Sequence, residues 1–309
     1  MLWGIPQGRY GASLSRIDRE VISMRPLVEE WVFERLEKLE ALDRVGKPLQ
    51  KAVRSVVPSD SALKDLLSGT WLGHPLHPLL TDVVIGAWTS AWFLDIVGGK
   101  RTRAASDRLI GIGILAALPT AASGLSDWAD VDVRTRRLGV LHATGNVSAI
   151  SLYTLSYLAR KSGRRATGWL LSMLGAGAAT TSAYIGGHLA FRKGVGVNQT
   201  AFETVPRDWT RVLSESDLPQ GRLTSARAGE VGVVLYRDGN RVFALLDRCS
   251  HRGCSLSDGA VRDLSVVCPC HGSTFDLEDG HIVKGPAIAP QPALEARTRG
   301  GDVEVRPKR

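Results

Sequence analysis

The chain has 309 residues, with 39 lysines and arginines against 31 aspartates and glutamates and a formal net charge of +8. The positive charge is scattered among acidic residues and forms no basic stripe interleaved with aromatic side chains, which argues against a nucleic-acid partner. All four cysteines lie from Cys249 onward, which excludes a disulfide framework in the rest of the chain. The length predicts two domains.

The amino-terminal residues 1–60 form a polar region that we expect to be partly mobile and partly helical. Residues 1–25 show no hydrophobic period. Residues 1–15 lack the apolar core of a cleavable signal peptide. Residues 26–56 place apolar side chains on one helical face, with a break expected at Gly46-Lys47-Pro48. This amphipathic segment could lie on a bilayer surface, pair with a partner helix, or cover another part of the same protein. A capping sequence at residues 58–61 then predicts a short helix over residues 62–67.

Four apolar stretches follow, at residues 79–97, 109–125, 138–158 and 169–191. Their lengths match the ~17–25 residues that a helix needs to cross a bilayer, and their frequent glycines suit close helix packing in lipid. A soluble four-helix bundle is the alternative, but the fourth stretch lacks the polar stripe that a solvated helix needs. The sequence therefore predicts a four-helix transmembrane domain over residues 61–192.

The first predicted span is preceded by the run Gly73-His74-Pro75-Leu76-His77-Pro78. This run resembles the signature that opens a bacterial membrane family with four predicted spans and no assigned function. The similarity extends over roughly residues 62–191. It implies a membrane location and no particular chemistry.

The alternating direction of the spans brings four histidines to one face of the predicted membrane domain. They lie at the starts of the first and third spans and at the end of the fourth: His74, His77, His142 and His188. One hypothesis is that His142 and His188 ligate a b-type haem or a metal ion, with His74 and His77 as further ligands. Two polar residues about one turn inside would orient these ligands: Asp82 and Asn146. The alternative is that the histidines are interfacial hydrogen-bonding residues.

After residues 193–206, a Gly-containing segment that we expect to act as a flexible linker, the pattern changes to short β-rich runs. These runs lie at residues 231–236, 241–246, 264–267, 293–298 and 302–306 and are separated by turn residues. They predict a small antiparallel all-β domain over residues 207–309. The expected fold class is therefore α + β in two domains, with transmembrane and amphipathic helices followed by the β domain.

Two loops of this β domain carry a cluster-binding pattern. Cys249 and His251 form a Cys-x-His pair, and after sixteen residues Cys268 and His271 form a Cys-x-x-His pair. Two thiolates on one iron and two imidazoles on the other are the ligand set of a Rieske [2Fe–2S] centre, in which the imidazoles raise the potential. A Cys2His2 zinc site and two disulfides are the alternatives, but the Cys-x-His spacing is too tight for the usual zinc pairs.

These loops, within roughly the last hundred residues, resemble the Rieske proteins of cytochrome bc-type complexes. The resemblance implies a disulfide between Cys254 and Cys270 and a hydrogen bond from Ser273 to a bridging sulfide. It also implies that the run Pro290-Gln291-Pro292 belongs to a loop that covers the cluster. Phe275 stands where the family has a tyrosine that donates to a ligand sulfur. We therefore expect a potential below that of a bc-type centre and above that of a four-cysteine ferredoxin.

The distribution of lysine and arginine predicts the membrane orientation. The loops opposite the histidine face hold the larger share: Lys100, Arg101, Arg103, Arg108, Arg160, Lys161, Arg164 and Arg165. The positive-inside rule places these loops in the cytoplasm, and the histidine face and the Rieske domain outside the cell membrane. A Cys254–Cys270 disulfide suits an oxidising compartment. Against this orientation, the amino-terminal region would also have to cross without a signal peptide.

These features predict a multi-pass membrane Rieske protein that transfers one electron at a time, as a component of an electron-transfer chain rather than a stand-alone catalyst. The expected partners are membrane lipid and either a membrane quinol or a neighbouring redox protein. A redox sensor or assembly factor, whose cluster state controls partner binding, is the alternative. A Rieske oxygenase is rejected because it would need a second iron held by two histidines and a carboxylate in a separate soluble domain.

Overall fold

The computed structural model describes residues 32–308, so the expected tail at residues 1–25 lies outside the described residues. The described part begins with helices and ends with strands. Its α-helices are α1 (Glu34–Glu37), α2 (Asp43–Val56), α3 (Ala62–Ser68), α4 (Leu76–Val97), α5 (Arg103–Trp128), α6 (Val133–Lys161) and α7 (Arg165–Phe191). The predicted short helix is present as α3. Ser61 caps it, because its hydroxyl accepts a hydrogen bond from the N–H of Lys64 at 3.2 Å.

The four long helices, α4 to α7, coincide with the four predicted apolar stretches. Each packs against its neighbour in sequence, and α4 also contacts α7. At the end away from the predicted histidine face, the buried guanidinium of Arg160 pairs with Asp95 and Asp107 and donates to Ser172 Oγ at 3.0 Å. This cluster joins all four helices and neutralises Asp95, an acidic residue inside the first apolar stretch.

These four helices carry polar groups inside and apolar groups outside. Buried serines donate across helix contacts, from Ser182 Oγ to the His142 carbonyl at 2.8 Å and from Ser156 Oγ to the Gly168 carbonyl at 2.6 Å. Large apolar side chains are exposed on every one of the four helices, among them Phe93, Leu115, Leu155 and Leu170. An exposed apolar surface of this extent marks contact with a membrane or a partner.

Two of the helices, α4 and α5, are long and apolar enough to cross a bilayer by length and composition. Only 22% and 33% of the residues in their most apolar windows are buried, so neither resembles the core helix of a soluble domain. Within residues 32–308, α6 and α7 do not meet the same measure. The uncharged middle of α6 contains His142, Asn146 and several serines and threonines, and α7 consists largely of Gly, Ala, Ser and Thr, so both are less apolar than α4 and α5. By this measure residues 32–308 contain two candidate spans where the sequence predicted four.

The amphipathic helix α2 packs on the long helices. Gln50 donates to the Ala129 carbonyl at 3.0 Å, and Asp43 pairs with Arg136 and Arg137 of α6 at 2.9 and 2.7 Å. Of the three placements that the sequence left open, contact with another part of the same protein is the one observed.

The predicted helix break at Gly46-Lys47-Pro48 is wrong, because α2 runs through all three residues. Pro48 removes one N–H donor from the helix, and the helix tolerates that loss. Gly46 is favoured by packing, since a Cβ at this position would stand 3.2 Å from Val140 Cγ2 on α6. Tertiary contact here outweighs the low helix propensity of both residues.

The carboxy-terminal domain consists of antiparallel strands in two sheets. The strands are β1 (Thr210–Ser214), β2 (Leu223–Ala228), β3 (Val231–Asp238), β4 (Arg241–Leu246), β5 (Ala260–Arg262), β6 (Ser265–Val267), β7 (Thr274–Asp276), β8 (Ile282–Lys284), β9 (Ala293–Arg299) and β10 (Asp302–Pro307). One sheet has the order β1-β10-β9-β4-β3-β2 and the other the order β5-β6-β7-β8. The five predicted strands are all present, and the prediction of an antiparallel β domain is confirmed.

Strand β3 separates two apolar cores, because its side chains alternate between the two faces of the sheet. Val233 packs in a core within the larger sheet. Val234 faces the smaller sheet, in a core that it shares with Phe275. This second core also contains Cys249 and Cys268, so the loops that carry the predicted ligands are rooted in packed side chains.

The segment between the helices and the β domain contacts both. Val195 packs against Trp128 at the end of α5. The N–H of Gln199 donates to the Ser250 carbonyl at 2.9 Å. The expected flexible linker is therefore held on the helices at one end and on the first ligand-bearing loop at the other.

Candidate metal centre

Two loops with the same backbone hydrogen bond lie at one end of the β domain. They are loop 1 (residues 249–254) and loop 2 (residues 268–273). In both, the N–H of the fifth residue, Gly253 or Gly272, donates to the carbonyl of the first, at 2.8 and 3.1 Å. Both glycines have positive φ, 77° and 76°, a conformation that glycine adopts without steric cost. Each loop can therefore turn back on itself directly after its ligand pair.

A disulfide between Cys254 and Cys270 joins the two loops, as the resemblance implied. It takes these two cysteines out of the set of available metal ligands. Cys249 and Cys268 stay unbridged and buried. The alternative of two disulfides is therefore wrong, and one pair of thiols remains for a metal.

The four predicted ligands converge between the loops. The thiols of Cys249 and Cys268 hydrogen-bond each other, which lowers the pKa of Cys268 to about 7 and raises that of Cys249. The rings of His251 and His271 meet edge to face, with their centroids 5.1 Å apart. Burial lowers the pKa of both imidazoles, so both are neutral at pH 7, the form that binds metal.

One nitrogen in this site has no hydrogen-bond partner in the described part of the chain. Nδ1 of His271 is buried and unpaired. Leaving a buried polar atom unsatisfied costs about 1–3 kcal/mol, a cost that a bond to a metal removes. With two adjacent thiols and a second neutral imidazole beside it, the site fits a [2Fe–2S] cluster that has thiolates on one iron and imidazoles on the other.

Two buried polar side chains support the loops. Ser273 Oγ accepts a hydrogen bond from the Ala287 N–H at 3.1 Å, which leaves its own O–H free to donate. Gln291 accepts from the Ser250 N–H at 3.0 Å and donates to the Arg248 carbonyl at 2.8 Å. The proline-rich run therefore holds loop 1 through the side chain of Gln291.

Comparison with known proteins agrees with this geometry. The Rieske [2Fe-2S] domain family matches residues 208–296. Ferredoxin CarAc of Metapseudomonas resinovorans is 31% identical over 98 residues, which are 31% of this chain and 92% of the ferredoxin. The chain belongs to the Rieske [2Fe–2S] family. Ahead of the Rieske domain, residues 73–199 match a second family, described as Predicted membrane protein (DUF2231).

Other Rieske relatives cover the same part of the chain. The ferredoxin subunit of 3-phenylpropionate/cinnamic acid dioxygenase from Escherichia coli (strain K12) is 33% identical over 91 residues, 29% of this chain and 85% of that subunit. Among solved structures, the ferredoxin of carbazole 1,9a-dioxygenase from Nocardioides aromaticivorans IC177 is 29% identical. That match covers 32% of this chain and 98% of the ferredoxin, with a TM-score of 0.31.

The Rieske domain contacts the helical part through the region of its ligand loops. His251 Nε2 lies 3.7 Å from a carboxylate oxygen of Asp130, which follows α5. The same oxygen is 2.8 Å from the ammonium of Lys64 on α3, a side chain that is almost fully buried. Thr70 adds a hydrogen bond to the Ala287 carbonyl at 3.2 Å. A buried ion pair of the helical part therefore faces a cluster histidine.

Of the four histidines predicted at the membrane face, the structure brings two together. The rings of His77 and His142 meet edge to face, with their centroids 6.3 Å apart. Asn146 donates to His142 Nε2 at 3.0 Å, so this predicted orienting residue is in contact. The other predicted orienting residue, Asp82, is exposed on α4.

The remaining two histidines lie apart from this pair. His142 contacts Ser182 of α7, and His188 follows six residues later, about 240° around the helix. His188 stacks instead on Phe33, with ring centroids 3.8 Å apart. His74 is exposed. The structure therefore does not place His188 and His74 with His142 as the haem or metal hypothesis required.

Sequence reasoning missed two residues that shape the site. A lysine in a short amphipathic helix ordinarily predicts exposure, so nothing in the sequence indicated that Lys64 is buried beneath loop 1. Gln291 offered a signal, because a single polar residue stands between two prolines in the loop expected to cover the cluster.

Proposed function

We propose that this protein is a membrane-anchored Rieske protein that passes single electrons from a membrane quinol to a redox partner protein. One observation carries the proposal: a Rieske ligand set rests, within one chain, on an apolar helical part that matches a membrane family. When bound, the [2Fe–2S] cluster accepts and returns one electron. The dioxygenase ferredoxins named above support the electron-transfer role, and the helical part supports a donor dissolved in lipid.

The proposal includes a four-helix transmembrane bundle, with α4 to α7 all crossing the bilayer. Support comes from the exposed apolar side chains on α6 and α7, such as Leu155 and Leu170, which match those on α4 and α5. The buried serines and the Arg160 cluster satisfy polar groups inside the helices, as a lipid environment requires. Membrane lipid is therefore the proposed partner of the outer helix faces.

The proposed orientation puts the Rieske domain and the histidine end of the helices outside the cytoplasm. Arg160 and Arg165, on the opposite end, form ion pairs with Asp95 and Asp107. The positive-inside rule counts lysine and arginine regardless of such pairs, so the asymmetry still favours this orientation. The Cys254–Cys270 disulfide agrees with an oxidising compartment.

Each side chain of the site has a defined task in this function. Cys249 and Cys268 would hold one iron, and His251 and His271 the other. Ser273 would direct its free O–H to the cluster, which favours the reduced state and raises the potential. Lys64 and Asp130 hold the domain so that loop 1 faces the membrane part.

The test is low-temperature electron paramagnetic resonance on isolated membranes. We expect a Rieske signal after dithionite reduction. We expect the same signal in samples that are rapidly mixed with a quinol and frozen immediately afterwards. Reduction of the cluster by dithionite but not by quinol would contradict a quinol donor. Absence of the signal from iron-replete membranes would contradict the electron-transfer function itself.

The same experiment separates electron transfer from redox sensing. A sensor would be reduced slowly and would bind a partner protein in one redox state only. Fast reduction by quinol, with equal recovery of co-purifying proteins from oxidised and reduced samples, favours electron transfer.

A further inference from the structure

A partly open cavity of about 550 Å³ lies between the long helices, and all four contribute lining residues. The end deeper in the helical part is apolar and aromatic, with Trp88, Trp92 and Tyr153 in its wall. Polar side chains gather at the other end: His77, Thr81, Thr120, His142 and Asn146. A concave, mostly apolar site with a few converging polar groups is typical of a small-molecule site.

The two histidines are fixed with the same nitrogen facing the protein backbone. His77 Nδ1 lies 2.9 Å from the Thr120 carbonyl, and His142 Nδ1 lies 2.8 Å from the Ser182 carbonyl. A carbonyl only accepts, so these contacts assign the hydrogen to Nδ1 in both neutral rings and leave Nε2 as the acceptor. The polar end of the cavity therefore presents His77 Nε2 as an acceptor, and His142 Nε2 accepts from the amide of Asn146 at the same end.

The surroundings of His142 favour an organic ligand over a metal ion. Backbone bonds to Nδ1 would also orient a metal ligand. However, Asn146 already donates to His142 Nε2 at 3.0 Å, so that nitrogen is engaged in hydrogen bonding. His188 and His74, which could have completed a coordination shell, lie elsewhere. A quinol headgroup suits the site because it is flat and apolar and carries hydroxyl groups that donate to acceptors.

The polar end of the cavity is also the end nearest the cluster loops. His77 lies against Gly124 of α5, where a Cβ would stand 2.7 Å from the imidazole. Three residues further along α5, Asp127 lines a small cleft together with His251 and Arg252 of loop 1. Gly124, which contacts His77, and Asp127, which lies beside the cluster ligand His251, are therefore about one helical turn apart, ~5 Å along the axis of α5.

We infer that this cavity binds the headgroup of the membrane quinol, with one hydroxyl group donating to His77 Nε2, the other donating to the amide oxygen of Asn146, and the apolar tail toward Trp88 and Trp92. The inference rests on the proposed function and adds a site to it. Oxidation of one quinol to quinone releases two electrons and two protons. The electrons leave singly to the cluster, which the redox partner protein reoxidises between the two transfers. The proton of the hydroxyl group at His77 passes to Nε2 of that imidazole and then to water at the histidine face, and the second proton leaves to water at the same face.

Quinol binding is measured on the purified full-length chain in detergent, reduced with dithionite so that the cluster does not oxidise the probe, by quenching of tryptophan fluorescence with decylubiquinol. Gly177→Leu fills the cavity, because Gly177 lines it and a Cβ there meets nothing within 4 Å. Gly86→Leu is the matched control, since Gly86 on α4 also has open space around its Cβ but faces away from the cavity lining. His142→Leu removes one polar group and keeps the apolar bulk.

We expect saturable quenching in the natural sequence and in Gly86→Leu. Affinity should fall at least tenfold in Gly177→Leu, and about tenfold in His142→Leu. Quenching that does not saturate, or that is equal in all four proteins, overturns the inference. A haem Soret band that is present in the natural sequence and lost in Gly177→Leu also overturns it, because the cavity then holds haem.

The dithionite-reduced Rieske signal is recorded on the same samples. A normal signal without saturable quinol binding overturns the cavity site and leaves the electron-transfer function standing. Saturable quinol binding without any Rieske signal supports the cavity site and contradicts the electron-transfer function. The signal also shows that the cavity-filling variant is folded.

Discussion

Two pairs of histidines meet edge to face in this protein, one in the Rieske domain and one in the helical part. The rings of His251 and His271 lie at 90° with centroids 5.1 Å apart, and those of His77 and His142 at 83° and 6.3 Å. Their nitrogens differ. Nδ1 of His271 is buried without a partner, whereas His142 has protein partners on both ring nitrogens. Ring geometry alone therefore does not distinguish a metal site from a hydrogen-bonding site, and the partner of each nitrogen does.

The residues beside each histidine pair support the same distinction between a metal site and a hydrogen-bonding site. Two thiols that share a hydrogen bond stand beside the Rieske pair, and sulfur and imidazole together suit iron. Amide and hydroxyl groups stand beside the helical pair, and these donate and accept hydrogen bonds without competing for iron. The comparison predicts that substitutions in the two pairs have separable effects.

The largest expected effect is the loss of the cluster when a ligand of the Rieske pair is removed. His271→Ala should reduce the iron content from about two atoms per chain to near zero and abolish the Rieske resonance, because one iron loses a ligand. His142→Ala should retain both irons. Iron analysis and electron paramagnetic resonance on the two purified variants check this. Equal iron loss in both would remove the distinction between the pairs.

The next largest effect should come from the buried ion pair of the helical part that faces His251 of loop 1. Lys64→Met leaves the buried Asp130 carboxylate without its cation, a change that typically costs about 3–5 kcal/mol. The Rieske domain should then separate from the helices much more often. Tryptic cleavage at Lys193, in the segment between the domains, should accelerate roughly a hundredfold or more, because proteolysis follows the population of the open form.

The control for this change is Lys51→Met, the same substitution at an exposed position of α2. Its cleavage rate should equal that of the natural sequence. If Lys64→Met is also cleaved at the natural rate, the ion pair does not hold the two regions together.

The contrast between the two regions also explains what the sequence could predict. The cluster ligands and the disulfide partners were predicted because metal and disulfide chemistry needs particular residue types at short spacings along the chain. The long helices and the five longer or more apolar strands were predicted because burial imposes a period on the sequence. In both cases the information lies within a few residues.

What was missed depends on contacts between distant parts of the chain. Lys64 is buried because α3, the end of α5 and loop 1 contact one another, and no short sequence pattern indicates these contacts. The pairing of His142 with His77 rather than His188 follows from which faces α6 and α7 present to each other. Strands β5 and β7 were missed because each has only three residues and ends in a charged one, so neither shows the short apolar run that marked β6.

A smaller effect is expected on the redox potential from the hydroxyl groups near the Rieske pair. Ser273→Ala removes a free O–H donor and should lower the midpoint potential by on the order of 60 mV, the one-electron equivalent of a tenfold change. Phe275→Tyr should shift the potential upward, because it adds the donor that the bc-type proteins have. Redox titration followed by electron paramagnetic resonance measures both shifts.

Thr274→Val is the control for these shifts, because it removes a hydroxyl that bonds the Gly272 carbonyl instead. Its potential should stay within the error of the natural value. Shifts of the same sign in Ser273→Ala and Phe275→Tyr would show that general loop disturbance, and not hydrogen bonding, sets the potential.

The smallest effect concerns His281, which belongs to neither pair and is exposed. Its Nδ1 lies 2.6 Å from a carboxylate oxygen of Asp279. The hydrogen bond to Asp279 raises the pKa of His281 above its usual value, and bonds from His281 lower the pKa of Asp279. The imidazolium of His281 contributes its full stabilisation below the pKa that His281 has in the unfolded chain. This contribution is lost as the pH rises through the higher pKa of His281 in the folded chain. The stabilisation from the Asp279 carboxylate is lost as the pH falls through the lowered pKa of Asp279. The pair therefore contributes most to stability between about pH 4 and 6.5.

Histidine NMR signals recorded against pH test this and sharpen the comparison of the two pairs. Asp279→Asn should move the pKa of His281 back toward its usual value, because the charged partner is gone. The rings of His251 and His271 should not take up a second ring proton over the pH range in which His281 does, because burial and a bond from one ring nitrogen to iron both oppose the doubly protonated form. Uptake of a proton by all three rings over the same pH range in the oxidised holoprotein would contradict iron binding by the Rieske pair.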